Sequence, residues 1–201
     1  EEDKNNELWI IYLKDITVET RLKNKYDMEQ FEKQIFKIAS ETDSLTQIYN
    51  KGAFEKKLEA YFENYRKNKG ELSLIFFDLD DFKALNDEFG HLAGDYALKE
   101  VAQRIQMEGI RGKDFFARFG GEEFVIILPD CGTKNALIVG DRIRLLISHN
   151  DFHFEDKTFD VTISVGVATT SQGFEKYQEL IEAADKATYY SKTHGKNRVT
   201  L

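Results

Sequence analysis

Two short acidic stretches carry the chemistry this chain could perform. The first is Arg118, Phe119, Gly120, Gly121, Glu122, Glu123, Phe124, which runs into the apolar residues 125–128. Paired glycines between strand-like segments mark a tight hairpin, because the turns that suit a twisted hairpin need backbone angles that glycine adopts without steric cost. Adjacent carboxylates at its mouth gain nothing from packing and repel each other, which is tolerable in open solvent or beside a cation. A solvated turn accounts for the hairpin taken alone, so a metal site needs a partner acid. The second stretch supplies one: Leu72, Ser73, Leu74, Ile75, Phe76 and Phe77 lead into Asp78, Leu79, Asp80, Asp81, Phe82 and Lys83. That is the pattern of a buried central strand whose end presents carboxylates to a crevice. Paired beside the hairpin, the strand would let Asp78 and Glu122 share a hard divalent cation. Magnesium suits such a site, since it takes oxygen ligands, keeps some waters and is often held by one or two carboxylates plus substrate phosphates. If the strand continues, Asp80 points with Asp78 and has a supporting role, while Asp81 stands where it could cap the following helix.

The elements that must position these acids follow from periodicity and turn signals. Residues 51–65 read as helix, 72–79 as strand, 82–107 as helical segments interrupted near 90–94, and 115–128 as the hairpin. Residues 134–148 read as helix, 161–169 as strand and 174–193 as the closing helix. The result is an α+β sandwich, a ferredoxin-like β-α-β-β-α-β palm with a central antiparallel sheet and added helices, similar to nucleotidyl cyclase and polymerase palms. The first forty residues are organised differently. Residues 8–13 form a strand-like run ending in Lys14, Asp15, Ile16 and Thr17, and Met28, Phe31, Ile35, Ile38, Thr42 and Leu45 step alternately by three and four. That spacing is a heptad seam, suited either to a dimeric coiled coil or to a helix packed on its own domain.

Composition bounds the partners. With 201 residues, 41% hydrophobic and 32% charged, the chain can bury one good core and carry an extension. A net charge of −8 argues against duplex nucleic acid as a partner, because such proteins present a basic footprint. The absence of a basic template groove likewise disfavours a polymerase. Cys131 is the single cysteine, so there is no internal disulfide framework. No apolar run reaches the length of a membrane span, and nothing resembles a signal peptide.

Six blocks in order bring the chain close to a known family. They are Asp43, Ser44, Leu45, Thr46 with Asn50 and Phe54; Asp78 to Lys83; Asn86, Asp87, Gly90, His91, Gly94 and Asp95; the glycine hairpin; Ser164, Val165, Gly166, Val167 and Ala168; and Ala184, Asp185 with Lys192, Gly195, Asn197 and Arg198. In this order and spacing they resemble the GGDEF diguanylate cyclases, in a Gly-Gly-Glu-Glu-Phe form, over about residue 43 to residue 201. The resemblance extends to the first residues: 1–20 look like the last strand of a PAS sensor domain, 21–42 like a dimer-forming helical linker, and 43–201 like the cyclase domain.

The resemblance implies an enzyme that condenses two GTP molecules into cyclic di-GMP with loss of two pyrophosphates, working as a homodimer because each domain supplies one GTP. A catalytically silent receptor for GTP or cyclic di-GMP is the alternative, but a receptor would be expected to lose the carboxylates or the glycine hairpin. Asp78, the Leu79 carbonyl, Glu122 and Glu123 are the implied magnesium ligands, with manganese as a substitute and Glu122 as candidate base. Asn86 and Asp95 resemble the guanine-reading pair, since a carboxylate can accept from guanine N1 and N2, a pattern adenine lacks. His91, Gly120 and Gly121 are implied substrate contacts. The N–H groups of Phe82 and Lys83 at a helix start, with Lys192 and Arg198, are implied to hold the triphosphate; Thr188 and Lys196 depart from the family pattern beside matched positions. Arg111 and Asp114 ahead of Arg118, with Arg142 as accessory, resemble the site where cyclic di-GMP inhibits the enzyme, arginine being suited to guanine O6 and N7. The family context implies a cytoplasmic domain, free or attached to a membrane sensor, with no membrane contact of its own.

Overall fold

The computed structural model describes residues 2–201, and for residues 2–16 and 18 the backbone alone. In chain order the elements are α1 (Glu2–Glu41), β1 (Tyr49–Asn50), α2 (Lys51–Asn68), β2 (Leu72–Leu79), α3 (Phe82–Phe89), α4 (His91–Arg104) and a π-helical turn (Ile105–Gly109). They continue with β3 (Phe115–Gly120), β4 (Glu123–Pro129), α5 (Thr133–Ser148), β5 (Phe152–Phe154), β6 (Lys157–Phe159), β7 (Ile163–Thr169), a 3-10 turn (Thr170–Gln172), α6 (Tyr177–Thr193) and β8 (Val199–Thr200). Residues 1–41 and 42–201 form two compact units.

The first unit is α1. Residues 8–13, expected as a strand, fall within the span of this helix. A lone strand leaves both edges unpaired, whereas a helix satisfies its own peptide groups. The side chains of that run lie outside the described residues, but the helical backbone does not give the closing strand expected of a sensor domain at 1–20. Met28, Phe31, Ile35 and Ile38 are each more than half exposed. The seam is shorter than its spacing suggested, because α1 stops at Glu41 and Leu45 packs on the core of the second unit.

In the second unit a six-stranded sheet runs in the order β1-β3-β4-β2-β7-β8. Its four inner strands are antiparallel, as expected, and two-residue strands add in parallel at each edge. β2 sits inside the sheet and is buried throughout, which explains its unbroken apolar run. Leu72, Leu74 and Phe76 face a layer with Phe54, Leu58 and Phe62 of α2 and Leu180 and Ala184 of α6. Ile75, Phe77 and Leu79 face the opposite layer, built from α4 and α5. Each buried phenylalanine contributes about 1.5–3 kcal/mol relative to exposure, and Phe77 stacks on Phe124 with centroids 5.3 Å apart. This double burial fixes the register that carries Asp78 to the sheet's rim.

Two local features differ from the sequence reading. The helical break near 90–94 is confined to Gly90, at φ 90° and ψ 157°, and Gly94 lies inside α4. The short β5–β6 ribbon has no paired-glycine signal, because its turn places Glu155 rather than glycine at positive φ. It buttresses the α3–α4 pair through Phe159 on Phe89 at 5.1 Å and Phe154 on Tyr96 at 5.4 Å.

Candidate active site

The hairpin and the strand end meet in register. In the β2–β4 pairing Asp78 lies opposite Glu123, and the Leu79 N–H donates to the Glu122 carbonyl at 3.3 Å. The turn residue Gly121 has φ +48°, the conformation that favours glycine there. Ahead of it the register shifts between Arg118 and Gly120, leaving Phe119 as the extra residue of a bulge. Its ring reaches Phe76 at 5.0 Å and Phe54 at 5.9 Å, with Lys51 Nζ 4.0 Å from the ring centre.

A clamp holds this hairpin from the side. Arg118 donates through Nε and Nη2 to the Gly121 carbonyl at 2.9 and 2.7 Å, and through Nη1 to Asp43 Oδ1 at 3.0 Å. Asp43 also accepts from the Thr46 N–H at 2.9 Å and the Thr46 hydroxyl at 2.7 Å. Burial works to raise the Asp43 carboxyl, but the hydrogen bonds from Thr46 and Arg118 and the guanidinium charge outweigh it and hold the group below the ordinary carboxylate range.

Asp78 sits in the opposite situation. Its side chain is 10% exposed; Oδ2 meets Lys192 Nζ at 2.6 Å, while Oδ1 is buried with no hydrogen-bond partner among the described residues. Burial pushes its carboxyl up to about 6, Lys192 opposing and the charges of Glu122 and Glu123 adding. Burial also raises Glu123, with Asp185 and Glu122 adding and Lys192 and Lys51 opposing. The influence of Asp185 from α6 was not anticipated; only its place in the closing sequence block pointed to it.

Among the described residues no three His, Cys, Asp or Glu side chains form a ready metal cage. The donors nonetheless fit magnesium. An orphaned buried carboxylate oxygen beside two further acids is short of positive charge, and this ion commonly takes one or two carboxylates and completes its shell with water and phosphate oxygens.

The nucleotide-binding candidates surround this centre. α3 begins at Phe82, so the first-turn N–H groups of Phe82 and Lys83 have no acceptor within the helix. Asp81 precedes them at φ 54° but makes no side-chain cap; its carboxylate instead pairs with Lys196 Nζ at 2.5 Å. The left-handed backbone turns the side chain away from the helix, which corrects the capping expectation. Asn86 on α3 lies over Gly94 on α4, where a Cβ would collide with the Asn86 amide and the Phe82 ring. Asp95 follows Gly94, half-buried, and His91 is the exposed first residue of α4. Lys192 stands in the last turn of α6, and Arg198 follows the next turn, donating to the His194 carbonyl at 2.7 Å. Thr188 binds the Phe76 and Ala184 carbonyls, both at 2.9 Å, so it ties α6 to the sheet.

The residues expected around an inhibitory site are only partly gathered. Arg111 and Asp114 close one turn, the Arg111 N–H donating to Asp114 Oδ2 at 2.8 Å and the Asp114 N–H to the Arg111 carbonyl at 3.0 Å. Arg111 is exposed. Arg142 donates to the Gly109 carbonyl at 2.6 Å, beside the segment leading to Arg111. Arg118 is engaged by the hairpin clamp.

A ferredoxin-like palm with an acidic strand end beside a glycine hairpin is the class of domain these features define. The chain belongs to the family described as diguanylate cyclase, GGDEF domain, whose model matches residues 40–198. It is 39% identical over 160 residues, 80% of its length, to the diguanylate cyclase DgcP of Pseudomonas aeruginosa, and spans 24% of that relative. The coiled coil and GGDEF domain of DgcB from Caulobacter crescentus, solved in complex with c-di-GMP, superposes with a TM-score of 0.81 at 30% identity, covering 91% of this chain and 98% of that one. The active GGEEF domain of a diguanylate cyclase from Vibrio cholerae gives a TM-score of 0.70 at 29% identity, covering 75% of this chain and 95% of that one. Among the described residues no helix is long and apolar enough to cross a membrane.

Proposed function

We propose that the chain is an active diguanylate cyclase that condenses two GTP molecules into cyclic di-GMP. The observation that carries this reading is the pairing of Asp78 with Glu123 beside Glu122, with one Asp78 oxygen buried and without a partner among the described residues. Each 3′-oxygen forms a bond to the α-phosphorus of the other GTP, the bond from that phosphorus to its bridging oxygen breaks, and pyrophosphate leaves. Asp78, the Leu79 carbonyl, Glu122 and Glu123 would hold magnesium, or manganese in its place. When bound, such an ion neutralises phosphate charge and lowers the pKa of the attacking hydroxyl.

The chain's own residues do the remainder. Glu122 at the hairpin tip accepts the hydroxyl proton. Asp95 and Asn86 read guanine, while His91 and the Gly120–Gly121 backbone contact the nucleotide. The first N–H groups of α3, with Lys192 and Arg198, hold the triphosphate and stabilise its departing charge. The reaction needs two domains, and the exposed Met28, Phe31, Ile35 and Ile38 of α1 support a coiled-coil linker that brings them together. Arg111, with Asp114 shaping its turn and Arg142 nearby, is the candidate grip for inhibitory cyclic di-GMP. Our proposed domain order is a helical linker ending at 42, with α1 (Glu2–Glu41) running through the stretch expected as a sensor strand, and the cyclase domain from 43 onward.

The test is incubation of the dimeric protein with GTP and magnesium, followed by chromatography. Cyclic di-GMP and two equivalents of pyrophosphate are expected, and Glu122→Gln should abolish turnover while GTP binding persists. A folded dimer that binds GTP without making product would instead identify a receptor.

A further inference from the structure

We propose that Asp80 is a positioning residue for the triphosphate, fixing the turn after α6 against the end of β2. This rests on the cyclase reading, in which Lys192 and Arg198 receive the phosphates. Asp80 is the first residue beyond β2 and only 8% exposed. Its Oδ1 accepts from the Ser164 hydroxyl at 2.6 Å, and its Oδ2 from the Thr162 hydroxyl at 2.6 Å and the Asn197 N–H at 3.1 Å. Its own N–H donates to the Thr162 carbonyl at 2.9 Å. Burying a carboxylate is costly unless its oxygens are satisfied, and here the donors come from two separate parts of the fold.

The turn it holds closes on α6 through the Lys196 N–H, which donates to the Ser191 carbonyl at 3.0 Å, and Asn197 Oδ1 accepts from Arg144 Nη1 at 2.9 Å. Gly195, Lys196 and Asn197 lie consecutively at φ 113°, 58° and 40°, a left-handed region that glycine and asparagine tolerate and that is unfavourable for Lys196. The segment from α6 into β8 is gripped by three acids in turn: Asp78 at Lys192, Asp81 at Lys196 and Asp80 at the Asn197 peptide. Of these, Asp80 alone holds the backbone. Arg198 is the next residue, and its carbonyl accepts from the Val165 N–H at 2.9 Å. Asp80 thereby sets where Arg198 and the end of α6 stand relative to the first N–H groups of α3. Guanine reading by Asn86 and Asp95 involves other elements, so loss of Asp80 should separate phosphate binding from base binding.

The test is titration of Asp80→Ala and wild type, with magnesium, by a non-hydrolysable GTP analogue and by guanosine, alongside amide exchange without nucleotide. We expect about tenfold weaker binding of the analogue, guanosine affinity unchanged within twofold, and faster exchange at residues 195–198 but not inside β2. Asp80→Asn, which keeps an acceptor oxygen, should recover most of the analogue affinity. Unchanged analogue binding, an equal loss for guanosine, or unchanged exchange at 195–198 would overturn the proposal. If Asp80→Ala does not fold, Thr162→Val and Ser164→Ala, which leave the carboxylate but remove its orienting hydroxyls, are measured by the same criteria. Failure of the cyclase reading would appear separately, as wild-type protein that binds GTP but yields no product; the exchange data would still decide whether Asp80 holds the turn.

Discussion

Asp43 and Asp78 flank one hairpin and occupy opposite surroundings. Asp43 accepts from Thr46 twice and from Arg118, and its carboxyl is held low. Asp78 has one oxygen on Lys192 and one with no partner among the described residues, and its carboxyl is pushed up to about 6, chiefly by burial. The first arrangement adds stability; the second leaves a carboxylate under-satisfied where a cation could complete it. The hairpin is therefore anchored on one side and faces an under-satisfied carboxylate on the other, a division expected where function and stability compete for one site.

The most severe way to break this comparison is Asp78→Asn. Loss of the carboxylate should reduce cyclic di-GMP formation by about a thousandfold or more, on the scale of removing a group that acts in the transition state. The same variant should be more stable than wild type at pH 7 without divalent ions, by about 1 kcal/mol after allowance for solvent screening. The sign follows from the raised pKa: the cost of the charged form is fully present above about 6 and absent near pH 4. Denaturant unfolding in chelator measures it.

Next in size is Arg118→Ala, which strips Asp43 and the Gly121 carbonyl of donors together. Unfolding should show about 2 kcal/mol of destabilisation and assays about a tenfold slower turnover. Arg118→Lys should rescue little, since an ammonium cannot reproduce the fork that spans both acceptors. A neutral effect on both readouts would break the clamp. Asp43→Asn should cost about 1 kcal/mol at pH 7. Because the folded-state pKa of Asp43 is lowered, that contribution is present above the unfolded value and disappears as pH falls through the folded one. The mutant and wild-type stability curves should converge in acid.

The smallest effect on the fold sharpens the contrast between two nearby arginines. Arg111 is exposed on its turn, so Arg111→Ala should change stability by less than about 0.5 kcal/mol while weakening inhibition by cyclic di-GMP. Activity measured against added product reads this directly.

The buried strand was legible because both faces of β2 are covered, which makes its sequence continuously apolar, and the Asp78–hairpin pairing followed from it. The fates of Arg118 and Asp81 were not legible. An Arg ahead of a glycine hairpin has the same letters whether it reaches a ligand or the turn's own carbonyl, and the choice depends on Asp43, 75 residues away in sequence. Asp81 looked like a helix cap until its left-handed backbone directed it to Lys196. The β5–β6 ribbon escaped notice because its turn lacks the glycine that usually marks one, and residues 8–13 looked like a strand because a short run of branched and aromatic types does not by itself separate strand from helix.

Thermal unfolding of wild type, Asp78→Asn and Asp43→Asn, each with and without magnesium plus a non-hydrolysable GTP analogue, tests the division of labour most directly. Ligand that binds only the folded state raises the unfolding temperature by an amount set by its affinity. The account predicts that wild type gains several degrees, that Asp78→Asn starts higher than wild type and gains nothing, and that Asp43→Asn starts lower and keeps the gain. A full ligand-induced gain in Asp78→Asn, or its loss in Asp43→Asn, would contradict it.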